Sequence, residues 1–193
     1  MPVNNKYYEK IQGWFNFAEP YEKAVQIAPE DAVFVEVGSW RGKSLIYLAS
    51  YIIEQGRTDI DLWAIDTWRG SNEPIHNQII NQLGGDDALY NDFIQNIHEA
   101  GVAHIISHRR EKSIEASKKF SSSSCFFVYI DAGHTYEDVI NDIQAWWPII
   151  QAGGVLAGHD YHADSPEVIA AVHDFFGESL LVFPEARTWW IQK

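Results

Sequence analysis

Strand-like apolar runs alternate with segments of helical periodicity along most of this chain. The run AVFVEV at 32–37 is followed by Leu45, Leu48, Ala49 and Ile52, whose spacing is that of one helix face. The same succession recurs after four further strand-like runs, at 61–66, 103–107, 125–131 and 155–160. This alternation predicts parallel strands joined by crossover helices, because parallel strands need a long connection between them.

The C-terminal part departs from this alternation. The segments SLLVFPE (179–185) and RTWWIQK (187–193) read as two strands with no helical pattern between them. A short connection of this kind joins antiparallel strands. We therefore predict an α/β fold: a doubly wound, mostly parallel seven-stranded sheet with an antiparallel C-terminal strand and helices on both faces. All 193 residues are expected to form one domain.

Three segments carry further structural expectations. Residues 1–30 are expected to form a helical cap. The apolar face of its helix is carried by Tyr8, Ile11 and Phe15. Residues 67–85 are expected to form a lid or substrate loop, because connections longer than about 12 to 15 residues are usually functional. The helix that follows the run at 125–131 is expected to end at Gly153 and Gly154.

Composition narrows the class of partner and the compartment. The chain has 14 Lys and Arg against 27 Asp and Glu, a formal net charge of -13 that repels a phosphate backbone, so no nucleic-acid partner is expected. No apolar stretch of about 18 residues is present, so no membrane partner is expected. The single cysteine, Cys125, is interpreted as a buried apolar residue, which favours the cytoplasm. Eight tryptophans favour an interface, and hence a homodimer.

The loop VEVGSWRGKS (35–44) follows the first strand and opens a helix, which is the usual setting of a nucleotide-binding loop. A dinucleotide loop has the pattern G-x-G-x-x-G, but the second and third glycine positions after Gly38 hold Trp40 and Lys43. These side chains block a pyrophosphate, which disfavours NAD and FAD. A triphosphate loop needs four residues between its first glycine and Gly-Lys-Ser, whereas only three separate Gly38 from Gly42.

S-adenosylmethionine suits this loop better, because the ligand carries a sulfonium and an ammonium group. Glu36 can hold the loop or the amino-acid part of such a ligand, and Gly38 permits close approach of the backbone. Asp66, at the end of the second strand, is placed to accept hydrogen bonds from ribose hydroxyls. Trp68 either flanks the adenine or packs in the core.

Polar residues stand at the ends of four strand-like runs: Glu36, Asp66, Asp131 and the pair His159-Asp160. Each could be polar for solubility alone. Ligands of doubly wound sheets bind beyond the carboxyl ends of the strands, near the point where the strand order reverses. The convergence of these residues on one edge therefore predicts a binding site there.

Two sequence patterns carry a resemblance to a known family. The pattern E-x-G-x-x-x-G lies at Glu36, Gly38 and Gly42, and the acid Asp66 follows. With the order of segments, it resembles class I (Rossmann-like) S-adenosylmethionine-dependent methyltransferases over nearly the whole chain. The run YIDAGHTYEDVINDIQAWWPIIQAGGVLAGHDY (129–161) is more specific. It is similar to the branch that includes metal-dependent sugar O-methyltransferases of macrolide biosynthesis and cephalosporin-type methyltransferases.

The resemblance implies roles for individual residues. Asp131 and the pair His159-Asp160 correspond to the metal ligands of that branch, and His134 corresponds to its proposed base. Asp131 and His134 are thus the implied catalytic residues. The expected contacts to S-adenosylmethionine are Glu36, Gly38, Ser39, Gly42, Asp66, Trp68, Ser113 and Asp131. The implied methyl acceptor is a hydroxyl of a small molecule, such as a sugar or a glycosylated metabolite.

These residue types suit methyl transfer to a hydroxyl, which is a poor nucleophile and must lose its proton as it attacks. A divalent metal stabilises the negative charge that develops on the oxygen, and a neutral histidine takes the proton. Relatives commonly have an acid where this chain has His159. Magnesium prefers oxygen ligands, whereas imidazole suits manganese, iron, cobalt or zinc. Either His159 binds such a softer ion or it turns away from magnesium.

Two other functions remain open at this point. A non-catalytic S-adenosylmethionine-binding or partner-binding module would have the same fold, but it would not need the cluster of Asp131 and Asp160. A nucleotide phosphatase or kinase would use the Gly-Lys-Ser sequence at 42–44, and its ATP binding would depend on Lys43.

Overall fold

The computed structural model describes residues 3–71, 74–85 and 87–193, and these contain a seven-stranded sheet with the strand order β3-β2-β1-β4-β5-β7-β6. The strands are β1 (Val33–Val37), β2 (Asp61–Asp66), β3 (Ile106–Arg110), β4 (Cys125–Ile130), β5 (Ile150–Gly158), β6 (Leu181–Phe183) and β7 (Thr188–Gln192). Strands β1 to β5 pair in parallel, whereas β7 is antiparallel to both β5 and β6. The predicted doubly wound, mostly parallel sheet with an antiparallel C-terminal strand is confirmed.

Helices cover both faces of the sheet. They are α1 (Ala18–Ile27), α2 (Lys43–Glu54), α3 (Pro74–Leu83), α4 (Ala88–Glu99), α5 (Ser113–Ser117), α6 (Tyr136–Trp146) and α7 (Pro166–Phe176). Because successive strand residues point to opposite faces, Phe34 packs with α1, α2 and α4, while Val35 packs with α5, α6 and α7. No helix among the described residues is long and apolar enough to cross a membrane.

The carboxyl ends of β1 and β4 approach each other closely at the point where the strand order reverses. The N–H of Asp131 donates to the carbonyl of Val37 at 2.8 Å. Gly38 has a left-handed φ of +93°, and a Cβ at this position would lie 1.9 Å from the carbonyl oxygen of Asp131. Only glycine fits here, because a side chain would collide with rigid backbone. The close approach that Gly38 permits is therefore between the segments that follow β1 and β4.

Two boundaries differ from the sequence prediction. The third strand begins at Ile106, because Ala103–Ile105 forms a 3-10 turn. Helix α6 ends at Trp146 and does not continue to Gly153, since Pro148 follows in the 3-10 turn Trp147–Ile149. Proline lacks an N–H and its ring clashes with a preceding helical turn. Gly153 and Gly154 therefore lie inside β5.

Two loop expectations are also corrected. The helix expected to carry Tyr8, Ile11 and Phe15 is replaced by the 3-10 turn Tyr7–Lys10 and an extended segment, and the first α-helix is α1. Tyr8 and Phe15 instead pack their rings on Tyr47 of α2. The stretch 67–85 contains α3, so only part of it is a loop. Residues 1, 2, 72 and 73 of these two stretches lie outside the described residues.

Candidate active site

A cavity of about 430 Å³ lies at the carboxyl edge of the parallel strands. The segments after β1 to β5 form its walls, together with Gly13 and Trp14 of the N-terminal segment. The structure brings together at this cavity eight residues predicted from the sequence: Gly38, Ser39, Asp66, Ser113, Asp131, His134, His159 and Asp160. Glu36, Gly42 and Trp68 are not among the lining residues.

The carboxylate of Asp66 links the loops that follow β1 and β2 by hydrogen bonds. One carboxylate oxygen accepts the backbone N–H of Trp40 at 2.8 Å, and the other accepts that of Trp68 at 2.7 Å. Burial raises the pKa of Asp66, and these backbone donors oppose the rise. Asp66 therefore shapes the loops as well as presenting a carboxylate to the cavity.

Glu36 lies beneath the loop that follows β1 and is fully buried. The hydroxyl of Tyr21, from α1, donates a hydrogen bond to its carboxylate. Burial raises the pKa of Glu36 to about 7, although the hydrogen bond from Tyr21 opposes the rise. Gly42 starts α2 in a left-handed conformation, with φ +84°. Both residues hold the shape of the loop and do not line the cavity.

Trp68 packs in the core and does not flank the cavity. Its side chain is 0% exposed and contacts the rings of Tyr90 and Phe93 in α4. Its indole N–H donates to the carbonyl of Trp40 at 2.7 Å. The expectation that Trp68 binds the cofactor is therefore corrected: the residue supports the neighbouring loop from below.

Two aspartates and two histidines form a cluster at the ends of β4 and β5. The Nε2 atom of His134 lies 3.0 Å from an oxygen of Asp160. The Nδ1 atom of His159 lies 3.3 Å from Asp160 and 3.5 Å from Asp131. Burial acts to raise the pKa of Asp160, but hydrogen bonds with both histidines outweigh it and hold this pKa well below its usual range.

His159 is fixed on its other side by the N-terminal segment. Its Nε2 atom lies 2.8 Å from Oδ1 of Asn16, and its ring packs on Phe17 at 4.8 Å. The Nδ2 group of Asn16 donates to the carbonyl of Glu185, which directs Oδ1 of Asn16 towards the histidine. Burial acts to lower the pKa of His159, but the hydrogen bonds and charges of Asp131 and Asp160 raise it to about 9.

Three side chains of this cluster lie close enough together to hold a metal ion. Ligand atoms of Asp131, His134 and Asp160 all lie within 4.8 Å of one another. Among the described residues, His159 does not belong to this group. The ring of His159 is held between Asn16 on one side and the carboxylates of Asp131 and Asp160 on the other.

Sequence reasoning missed an aromatic wall of the cavity formed by Trp14, Trp40 and His76. The ring of His76 lies 4.4 Å from that of Trp40 and 5.7 Å from that of Trp14. The side chain of Trp14 is 55% exposed. No local pattern identifies these residues, because they come from three separate segments that meet only in the folded chain. Asn16 was missed for the same reason.

A family model described as a methyltransferase domain matches residues 35–161, which is more than half of the chain. The chain belongs to this family. The matched range includes the loop after β1 and all three residues of the cluster formed by Asp131, His134 and Asp160.

One curated relative is an uncharacterized protein of Acanthamoeba polyphaga mimivirus, 26% identical over 161 residues. The match covers 82% of this methyltransferase-domain protein but only 62% of the viral protein, so the chain spans less than two thirds of that relative's length.

Solved structures share the fold at low sequence identity. The O-methyltransferase NovP has a TM-score of 0.68 and 16% identity, with 91% of this chain and 78% of NovP covered. An S-adenosylmethionine-dependent O-methyltransferase from Thermotoga maritima has a TM-score of 0.63 and 12% identity, with 97% and 69% covered. The TDP-rhamnose 3'-O-methyltransferase CalS11 of calicheamicin biosynthesis has a TM-score of 0.54 and 13% identity, with 91% and 76% covered. These similarities establish a common Rossmann-like methyltransferase fold.

Proposed function

We propose that this protein transfers the methyl group of S-adenosylmethionine to a hydroxyl oxygen of a small molecule. The observation that carries the proposal is one cavity lined both by the loop with Gly38 and Asp66 and by the cluster of Asp131, His134 and Asp160. Donor and acceptor would meet within it, and holding two reactants in line supplies much of the rate acceleration in such transfers.

The donor half of the cavity fits a cationic nucleoside ligand. Asp66 and Asp131 place carboxylates beside the site, which favours a sulfonium and an ammonium over a phosphate. Ser39 lines the cavity, and its hydroxyl lies at the buried carboxylate of Glu36, whose pKa it lowers by a hydrogen bond. Ser113 lines the same cavity at the start of α5, where the adenine would lie.

The acceptor half would activate the hydroxyl. His134 is proposed to take the hydroxyl proton, and Asp160, 3.0 Å from its Nε2, would orient the ring and stabilise the imidazolium that forms. Both ring nitrogens of His159 are engaged, Nε2 with Asn16 and Nδ1 with the carboxylates of Asp131 and Asp160, which leaves neither of them to take a proton. The proposed base is therefore His134.

We also propose a divalent metal ion at this cluster, held by Asp131 and Asp160 with His134 close enough to be a ligand. An imidazole nitrogen that binds the ion cannot also take the hydroxyl proton, so with His134 as the base the ion is held by the oxygens of Asp131 and Asp160, which suit magnesium or manganese. When bound, the ion would lower the free energy of negative charge on the acceptor oxygen. A sugar hydroxyl is the proposed acceptor, supported by the resemblance of 129–161 to sugar O-methyltransferases and by the structural similarity to CalS11.

Two measurements test these proposals. Isothermal titration with S-adenosylmethionine is expected to show saturable binding in the micromolar range, and its absence contradicts the donor assignment. His134→Ala is expected to abolish methylation of a sugar acceptor panel while leaving donor binding intact. The matched control is His104→Ala, because His104 is exposed and lies outside the cavity. If the His134→Ala variant still methylates the acceptor, His134 is not the base. Manganese binding is measured on the same variant, and retained binding with lost turnover means that His134 acts as a base and is not a required ligand of the ion.

A further inference from the structure

The aromatic wall of the cavity takes no part in the chemistry proposed above. It is formed by Trp14, Trp40 and His76. The rings of Trp40 and His76 pack at 4.4 Å with an angle of 33° between their planes. The ring of Trp14 is inclined to both, at 46° to Trp40 and 51° to His76. The three rings therefore form an angled apolar corner beside the space for ligands.

Trp14 is exposed although its neighbours in the chain are anchored. Its side chain is 55% exposed, which is the largest value among the bulky apolar side chains of the described residues. Phe15 and Phe17 pack on each other at 4.9 Å and join the core with α1 and α2. Trp14 lines the cavity instead, and Asn16 contacts His159 there. The segment thus holds the ring of Trp14 in place while leaving it open to a ligand, as in preformed binding pockets.

The polar atoms of the other two rings are used within the protein. Nε1 of Trp40 donates to Oε1 of Gln12 at 3.1 Å. Nδ1 of His76 lies 2.9 Å from Oγ of Ser71. The wall therefore presents mainly apolar ring surface to the cavity. Such a surface suits a planar aromatic group, whereas the hydroxyls of a sugar need hydrogen-bond partners.

The aromatic wall lies close to the acidic cluster. Trp14 and Asn16 are two residues apart, which is at most about 7 Å along an extended chain. Asn16 in turn lies 2.8 Å from His159 of the cluster. An aromatic group on the ring of Trp14 can therefore belong to the same molecule as a hydroxyl beside Asp131 and His134.

We propose that the aromatic wall binds the aromatic aglycone of a glycoside, whose sugar hydroxyl lies at the cluster of Asp131, His134 and Asp160. This proposal rests on the proposed function, because it names the class of acceptor: an aromatic glycoside and not a free sugar. Stacking on Trp14 would hold the sugar in place at the cluster. Trp14 would thereby set acceptor specificity without touching the reacting atoms.

The test compares phenyl α-L-rhamnoside with methyl α-L-rhamnoside, which share the sugar and differ in the aglycone. Both are titrated calorimetrically into the protein in the presence of S-adenosylhomocysteine, so that binding is measured without turnover. An aromatic pair contributes about 2- to 10-fold in affinity beyond the apolar area that it buries, so wild type is expected to prefer the phenyl glycoside by about 10-fold or more.

Three variants locate the source of this preference. Trp14→Ala is expected to lose it while binding S-adenosylmethionine as wild type does, which also shows that the variant is folded. Trp14→Phe is expected to retain most of it, because a phenyl ring still stacks. The matched control is Trp147→Ala, which removes a partly buried tryptophan outside the cavity and is expected to keep the full preference.

Several results would overturn the proposal. If wild type does not bind the phenyl glycoside, or if Trp14→Ala keeps the preference, the wall does not bind an aglycone, although the donor assignment stands. If cyclohexyl α-L-rhamnoside binds as tightly as the phenyl glycoside, the aromatic class is wrong. If Trp14→Ala weakens S-adenosylmethionine, or turns a dimer into a monomer, Trp14 serves the donor or an interface. Failure of the proposed function is read separately, from the donor titration of wild type.

Discussion

Replacing Glu36 with glutamine is expected to remove a pH-dependent loss of stability. The carboxylate of Glu36 is fully buried, and burial raises its pKa from 4.5 to about 7. Between these two values the folded protein holds this proton more tightly than the unfolded chain does. The contribution of Glu36 to stability is therefore present below pH 4.5 and is lost as the pH rises towards 7. Glutamine keeps an oxygen for the Tyr21 hydroxyl and does not titrate.

The size of the effect follows from the two pKa values. A shift from 4.5 to about 7 corresponds to about 3 kcal/mol of unfolding free energy. Between about pH 5 and pH 8, the free energy of unfolding of wild type is expected to fall relative to Glu36→Gln by about 2 to 3 kcal/mol. Other buried acids also titrate in this range, such as Asp142 with a pKa raised to about 6. The comparison between wild type and variant at each pH cancels their contribution.

The assay is urea denaturation of both proteins at several pH values, followed by circular dichroism. The quantity of interest is the difference in unfolding free energy between the two proteins as a function of pH. A difference that stays constant from about pH 5 to pH 8 refutes the reasoning, because it means that the pKa of Glu36 is the same in the folded and unfolded chains.

Three other perturbations follow from single positions. Gly38→Ala would place a Cβ 1.9 Å from the carbonyl oxygen of Asp131, so a destabilisation above about 3 kcal/mol and loss of donor binding are expected. The control Gly56→Ala has a similar left-handed φ but open space around it, and should cost only about 1 to 2 kcal/mol by urea denaturation; equal costs would contradict the steric argument. Trp68→Ala should cost about 3 to 5 kcal/mol in the same assay, and a smaller loss would place this indole outside the core. Cys125 is buried and its pKa is raised to about 12, so it should react with a thiol reagent only in denaturant, and rapid labelling of the native protein would contradict its burial.

Local patterns were sufficient to predict the strand-end chemistry. Parallel strands end at one edge of a sheet, so polar residues such as Asp66, Asp131 and Asp160 meet there whatever the details of the loops. The pattern of apolar residues likewise predicted the number of strands and the antiparallel strand β7. These features depend on periodicity and chain direction, which can be read within short windows of sequence.

Only the tertiary structure decided which side chains reach the cavity. Trp68 lies two residues after Asp66, the last residue of β2, yet its side chain turns inward because α4 offers it an aromatic surface to pack on. Asn16 reaches His159 across 143 positions of sequence, and this contact engages one ring nitrogen of the histidine. The amino-acid sequence determined the edge of the sheet at which the chemistry lies, because the number and direction of the strands follow from local periodicity. The choice of residues at that edge depends on packing between distant segments, which no local pattern encodes.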